Sequence, residues 1–188
     1  MSEKIDRRIS KTKKSLKTAL AELLARKALH NISVKELTEI ADIHRGTFYT
    51  HYQDIYDLFQ QIENEVFEKI SEELKFDPAH NYTGFFTFLF DFAEKNTTSF
   101  KVLYSTHSDS SFHNRFCSFF EEKLTDVCLA DEDMTAETMP ERWKYLIHYS
   151  SAGFISLLER WIQSGFEYPK AELVELAKEI DLTLDSLY

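Results

Sequence analysis

From His44 to Tyr52 the chain reads His-Arg-Gly-Thr-Phe-Tyr-Thr-His-Tyr. A guanidinium, two imidazoles, two threonine hydroxyls, two phenols and a glycine are thus compressed into about two helical turns. These groups suit phosphate oxygens and base edges: an arginine grips a guanine edge with two N–H groups, and a histidine donates or accepts there. A helix of this length serving only a core would carry Leu, Ile or Ala inward and charges outward. Here the expected outward positions are Arg45, Gly46, Thr47, Tyr49, Thr50 and His51. The chemistry is recognition of nucleic acid.

Such residues need elements to aim them. Leu16, Leu20, Leu23, Leu24 and Ala28 recur at three- and four-residue spacing and predict an amphipathic helix from about residue 8 to 28. Ser33-Val34-Lys35-Glu36 reads as a capping box opening a second, short helix with Leu37, Ile40 and Ala41 inward. Asp42-Ile43-His44 makes a tight turn, and in the helix that follows Phe48 and Tyr52, four apart, share the inner face. Asp54 then caps a long helix bearing Ile55, Leu58, Phe59, Ile62, Val66 and Ile70.

Charge divides along the same line. Residues 1–57 carry 11 Lys and Arg against 8 Asp and Glu, a balance of +3, whereas residues 58–188 hold 11 against 24, a balance of −13. Lys4, Arg7, Arg8, Lys11, Lys13, Lys14 and Lys17 face only Glu3 and Asp6. A cluster of this kind raises polyanion affinity through counterion release, with Lys13 and Lys14 taken as backbone contacts; a solvated basic helix end is the plainer alternative.

The stretch from Ile32 to Phe59 closely resembles the helix-turn-helix signature of the TetR/AcrR family of bacterial transcriptional regulators. The Gly46-Thr-Phe-Tyr49 core, the aromatic at Tyr52 and the Asp54 to Leu58 opening of the next helix carry the resemblance. It implies an all-α chain: a three-helix helix-turn-helix domain over residues 1–53, then a helical-bundle effector and dimerisation domain over 54–188. It further implies Arg45 and His51 as base readers, Thr47 and Tyr49 as phosphate or thymine-methyl contacts, and Lys35 as a phosphate contact. Gly46 has two readings, close backbone approach to DNA and a tight helix start. Ile55 stands where many members have a phosphate-binding lysine, and Thr38 where alanine is common.

Beyond residue 80 the sequence is less directive. Ten of the sixteen phenylalanines fall between Phe85 and Phe120. An aromatic bundle core is one reading. The other, implied by the resemblance, is an effector cavity lined by residues such as Phe86, Phe90, Tyr104, His107, Phe116, Tyr145 and His148. The sequence does not choose between them. Thr138-Met139-Pro140-Glu141 reads as a helix start, after which Trp143, Ile147, Ser150, Phe154, Leu157 and Trp161 form a seam at alternating four and three. Gly165 ends that helix and Pro169 opens the last, whose apolar face comprises Leu173, Leu176, Ile180, Leu184 and Leu187. In the family two such terminal helices make a four-helix homodimer interface, which implicates Ile147, Ser150, Phe154, Leu157, Trp161, Leu176 and Ile180; completion of the monomer core is the alternative. Residues 149–165 are similar to a subgroup that includes proposed dihydroxyacetone kinase regulators, some of which answer to a protein partner.

Several classes are set aside. Four glycines and three prolines are too few for a turn-rich β-fold. No apolar run is long enough for a membrane span and no signal peptide is legible, so the expected location is cytoplasmic. No Ser-His-Asp arrangement, glycine-rich phosphate loop or metal triad points to an enzyme, and no cofactor is expected. His113 and Cys117, four apart, are two ligands without a third, and Cys117 and Cys128 read as structural thiols. The expected partners are a double-stranded DNA operator, a second copy of the chain, and either a small-molecule effector or a protein coregulator. A DNA-binding role outside transcription is the remaining alternative.

Overall fold

The computed structural model describes residues 2–74, 82–105, 111–130, 135 and 137–185. Among these the long elements are all α-helices: α1 (Ser2–Leu24), α2 (Val34–Ile40), α3 (Arg45–Tyr49), α4 (Ile55–Glu73), α5 (Tyr82–Lys95), α6 (Thr97–Leu103), α7 (Ser111–Ala130), α8 (Glu141–Gln163) and α9 (Lys170–Asp185). His107 and Leu187, and the side chain of Leu184, lie outside the described residues. The chain divides into two compact units, comprising the described residues of Met1–Lys69 with Asn96–Ser110, and of Ile70–Lys95 with Ser111–Tyr188.

The first unit is built around α1, whose Leu16, Leu20, Leu23 and Leu24 are buried. It begins earlier than its apolar spacing predicts and stops at Leu24, with a 3-10 turn at Leu29–Asn31 taking the chain to α2. The Ser33 hydroxyl accepts the Glu36 N–H at 3.2 Å, as the capping box requires. Lys27 pairs with the Glu36 carboxylate and ties the connector to α2. Ile40, expected inward, is 40% exposed, and Thr38 occupies the buried position instead. The Thr38 hydroxyl is satisfied within the helix, donating to the carbonyls of Val34 at 2.8 Å and Lys35 at 3.0 Å, so a polar residue is tolerated where alanine would serve.

The turn into α3 is a Schellman-type close. Ile43 N–H donates to Thr38 C=O at 3.0 Å and Asp42 N–H to Glu39 C=O at 3.3 Å, with Asp42 at φ 53°. Aspartate is among the few non-glycine residues that enter this left-handed region readily. Phe48, Tyr52, Leu58, Phe59 and Ile62 complete the buried face. The α6 segment also belongs here: Phe100, Val102, Leu103 and Tyr104 are buried, α6 packs on α1, and the Ser105 hydroxyl donates to the Leu24 carbonyl at 2.8 Å, satisfying an end of α1.

The second unit packs α5 with α9, and α8 with both α7 and α9. Its core is aromatic. Phe120 of α7 stacks on Phe154 of α8 at 4.8 Å and on Phe85 of α5 at 5.1 Å, while Phe90 meets Phe154 and Trp161 edge-on at 5.3 and 5.4 Å. Thr138 does not cap α8: its hydroxyl accepts the Thr135 N–H at 2.9 Å in the preceding turn, and Pro140 stands at the cap position with no side-chain bond. At the far end Gly165, at φ +77°, closes α8 by a second Schellman motif, with Phe166 N–H on Trp161 C=O at 3.0 Å and the two rings 4.7 Å apart. Lys170 then pins the start of α9 to Asp91 and Glu94 of α5. No helix among the described residues is long and apolar enough to cross a membrane.

Candidate nucleic-acid interface

The short helix α3 is anchored from below. Phe48 and Tyr52 are buried with ring centroids 5.5 Å apart, and this fixes which residues face away. Arg45 and Gly46 are exposed, Thr47 and His51 half-exposed, and Tyr49 is 53% exposed with its ring edge-on to Phe48 at 5.4 Å. None of the five expected contact residues is buried, so all of them reach the surface around the sides of α3 that Phe48 and Tyr52 leave open. Thr50 is differently occupied, its hydroxyl donating to the Thr47 carbonyl at 2.6 Å.

His44 has a role that sequence reasoning missed. Its Nδ1 accepts the Gly46 N–H at 3.1 Å, so His44 is the N-cap of α3. Histidine is not among the usual capping residues, which hid the signal. A Cβ at Gly46 would sit 3.1 Å from that same nitrogen, so glycine is fitted to the tight helix start.

The basic residues are distributed unevenly. Lys35 is exposed, with only a long pairing to Glu39 at 3.9 Å that contributes little. Lys14 is exposed, while Lys13 is half-buried at a polar depression also lined by Lys17, Tyr52, Gln61 and Glu65. Lys17 is mostly covered and binds Glu65 at 2.5 Å, a bond from α1 to α4. Burial pushes the Tyr52 phenol up to about 12, helped by the charges of Glu65 and Asp57, so it stays neutral.

Burial also pushes the Glu65 carboxyl up, but hydrogen bonds and charge from Lys17 and Lys69 outweigh it and hold the group below its ordinary 4.5. A depressed carboxylate contributes stability that is complete above the unfolded value and disappears as the pH falls through the folded one. Acid unfolding of wild type should therefore have a component below about pH 4.5 that Glu65→Gln lacks. Stability measured against pH in the two proteins tests this; parallel curves would rule it out.

The expected effector residues are scattered. Phe86 and Phe90 lie in the α5–α8 core against Phe154, and Phe116 stacks on Phe112 at 5.3 Å. Tyr104 belongs to the first unit and stacks on Phe100. Tyr145 and His148 are exposed on α8, where His148 pairs with Glu121 of α7. Further along the same two helices His113 holds Glu159 at 3.2 Å and Cys117 at 3.5 Å. Neither cysteine is in a disulfide, and among the described residues no group of three or more His, Cys, Asp or Glu could hold a metal ion.

Of the expected dimer residues, Ile147, Phe154 and Trp161 are buried in the core of the second unit. Ser150, Leu157 and Ile180 instead line an apolar groove between α8 and α9, together with Tyr149, Gly153 and Ala177 and floored by Phe86 and Phe154. Leu176 and Ile180 are exposed on α9, as are Tyr145 and Tyr149 on α8.

Three of the solved structures that share this fold illustrate the likeness. The dihydroxyacetone kinase operon activator DhaS is 22% identical over 94% of this chain and 95% of its own, with a TM-score of 0.59. A TetR transcriptional regulator from Streptococcus agalactiae is 24% identical, over 96% and 98%, at 0.60. A TetR-family regulator from Syntrophomonas wolfei is 18% identical, over 93% and 95%, at 0.65. At these identities the likeness establishes fold alone. No curated protein matches the chain significantly. Residues 80–180, however, match the family profile of the TetR-type transcriptional regulator C-terminal region. With more than half of its length covered by that profile, behind an N-terminal helix-turn-helix, the chain belongs to the TetR family of transcriptional regulators.

Proposed function

We propose that this regulator is a homodimeric repressor that reads a pseudo-palindromic operator through α3 and releases it on binding an effector. The observation that carries the reading is the outward face of α3, with Arg45, Thr47, Tyr49 and His51 presented over buried Phe48 and Tyr52. Arg45 and His51 read base edges, Gly46, Thr47 and Tyr49 fit against the backbone or a thymine methyl, and Lys13, Lys14 and Lys35 hold phosphates. In a two-fold dimer the two α3 helices enter successive major grooves about 34 Å apart, which makes the operator symmetric. An effector needs a coupling on the order of 1–3 kcal/mol to change operator occupancy.

A second reading of the signal is supported by one observation. Phe85, Phe86, Phe90, Phe120 and Phe154 pack ring on ring, which favours a surface input from a protein coregulator over an enclosed small-molecule site.

DNA recovered by selection from a random pool provides the test substrate. In titrations at fixed salt, Arg45→Ala and Tyr49→Ala should each weaken the selected site by about 1–3 kcal/mol relative to random DNA. Replacement of Lys13 and Lys14 together by alanine should weaken both DNAs and flatten the salt dependence. Retention of specific affinity by both point variants would refute the recognition face.

A further inference from the structure

The exit of α3 is bound to α4 by hydrogen bonds that lie behind the outward face. Asp57, in the first turn of α4, accepts the Gln53 N–H at 2.7 Å on one carboxylate oxygen and the Gln61 side-chain amide at 3.0 Å on the other. Its own N–H donates to the Asp54 carboxylate at 2.8 Å. The Gln61 amide also reaches back to the carbonyl of His51 at 3.4 Å. Two side chains of α4 thus hold the backbone on both sides of Tyr52.

This matters because α3 is only five residues long, less than two turns, and cannot define its own axis. Phe48 and Tyr52 fix which side of α3 turns outward, but apolar contact is non-directional and sets the roll about the helix axis only coarsely. Hydrogen bonds are directional and restrict it. Bidentate contact with a base edge tolerates little rotation, whereas attraction to phosphates tolerates much.

We propose that Asp57 and Gln61 are positioning residues that set the roll of α3 and thereby the sequence specificity of the regulator, without touching DNA. The proposal rests on the recognition face described above. The network makes specificity sensitive to the register of α4, while the basic residues that supply non-specific affinity stand outside it. Asp54 also takes the Asp57 N–H in the first turn of α4, where Ile55 is buried and stands in place of a lysine.

Gln61→Met keeps the length of the side chain and removes both donors; Asp57→Asn keeps its shape and removes one acceptor. In the full-length protein Gln61→Met should weaken the selected operator about tenfold, the cost of roughly one base contact, with Asp57→Asn falling between it and wild type. Affinity for random DNA, the salt slope and the melting temperature should stay at wild-type values, which a merely structural role or a lost phosphate contact would not allow. Operator preference retained by both variants overturns the proposal, as does a parallel loss of both affinities. If Gln61→Met does not fold, the operator-to-random ratio of Asp57→Asn decides. A wild-type protein without any operator preference overturns the recognition face itself, so the two failures are distinguishable.

Discussion

Phe120→Ala should destabilise the second unit by about 3–5 kcal/mol, a large share of the 5–15 kcal/mol that holds a typical domain folded. Phe120 is fully buried and stacks within 7° of parallel on Phe154 and within 16° on Phe85, with Phe86 at 6.1 Å. It is therefore a ring at which α5, α7 and α8 meet. Truncation removes its transfer energy and the pair terms with its neighbours, and Phe154 is held by Phe86 and Phe90 as well, so the rings cannot readily close over the void. Both tryptophans, Trp143 and Trp161, lie in this unit, so denaturant unfolding followed by tryptophan fluorescence reports on it selectively. Phe119, only half-buried, supplies the comparison. A Phe120→Ala cost below about 1 kcal/mol would mean that the stack is not the core it is argued to be.

The sequence was most legible where local chemistry fixes local structure. Ser33 and Glu36, Asp54, Gly165, and the pair Phe48 and Tyr52 all do what their types and spacing predict, because caps and turns are decided within a few residues. Legibility failed where phase decides. In α8 Trp143, Tyr145, Leu146, Ile147, Tyr149, Phe154, Ile155, Leu157, Leu158, Trp161 and Ile162 encircle the helix, so more than one seam can be drawn through them. The seam drawn through Ile147, Phe154 and Trp161 is the one that packs inside the unit. Chain proximity misled in a similar way at Tyr104. It follows the phenylalanine-rich run in sequence, yet α6 and Ser105 attach it to α1 and the first unit. Neither fact is encoded within reach of a local pattern.

Gly153→Arg should convert the regulator to a monomer and lower its operator affinity about 10²- to 10⁴-fold, the range lost when two linked binding modules are uncoupled. The outward stripe of α8, Tyr149, Gly153 and Leu157, faces the same groove as Ile180 of α9, and Tyr149 remains 65% exposed in the single chain. Apolar residues so placed are costly to leave in water and suit a self-complementary contact about a two-fold axis. Gly153 isolates that contact from the fold. A Cβ built there meets nothing within 4 Å, and its backbone is helical, so arginine adds bulk and charge outside the monomer while improving helix propensity by about 1 kcal/mol. Monomer stability should accordingly be unchanged or slightly higher, whereas a second α8 approaching the stripe would meet a buried, unpaired guanidinium. Sedimentation would establish the oligomeric state, and operator titration at fixed salt the affinity. A dimeric Gly153→Arg protein would place the two-fold contact elsewhere on the molecule; a monomer that still bound the full operator at wild-type strength would show that a single α3 suffices.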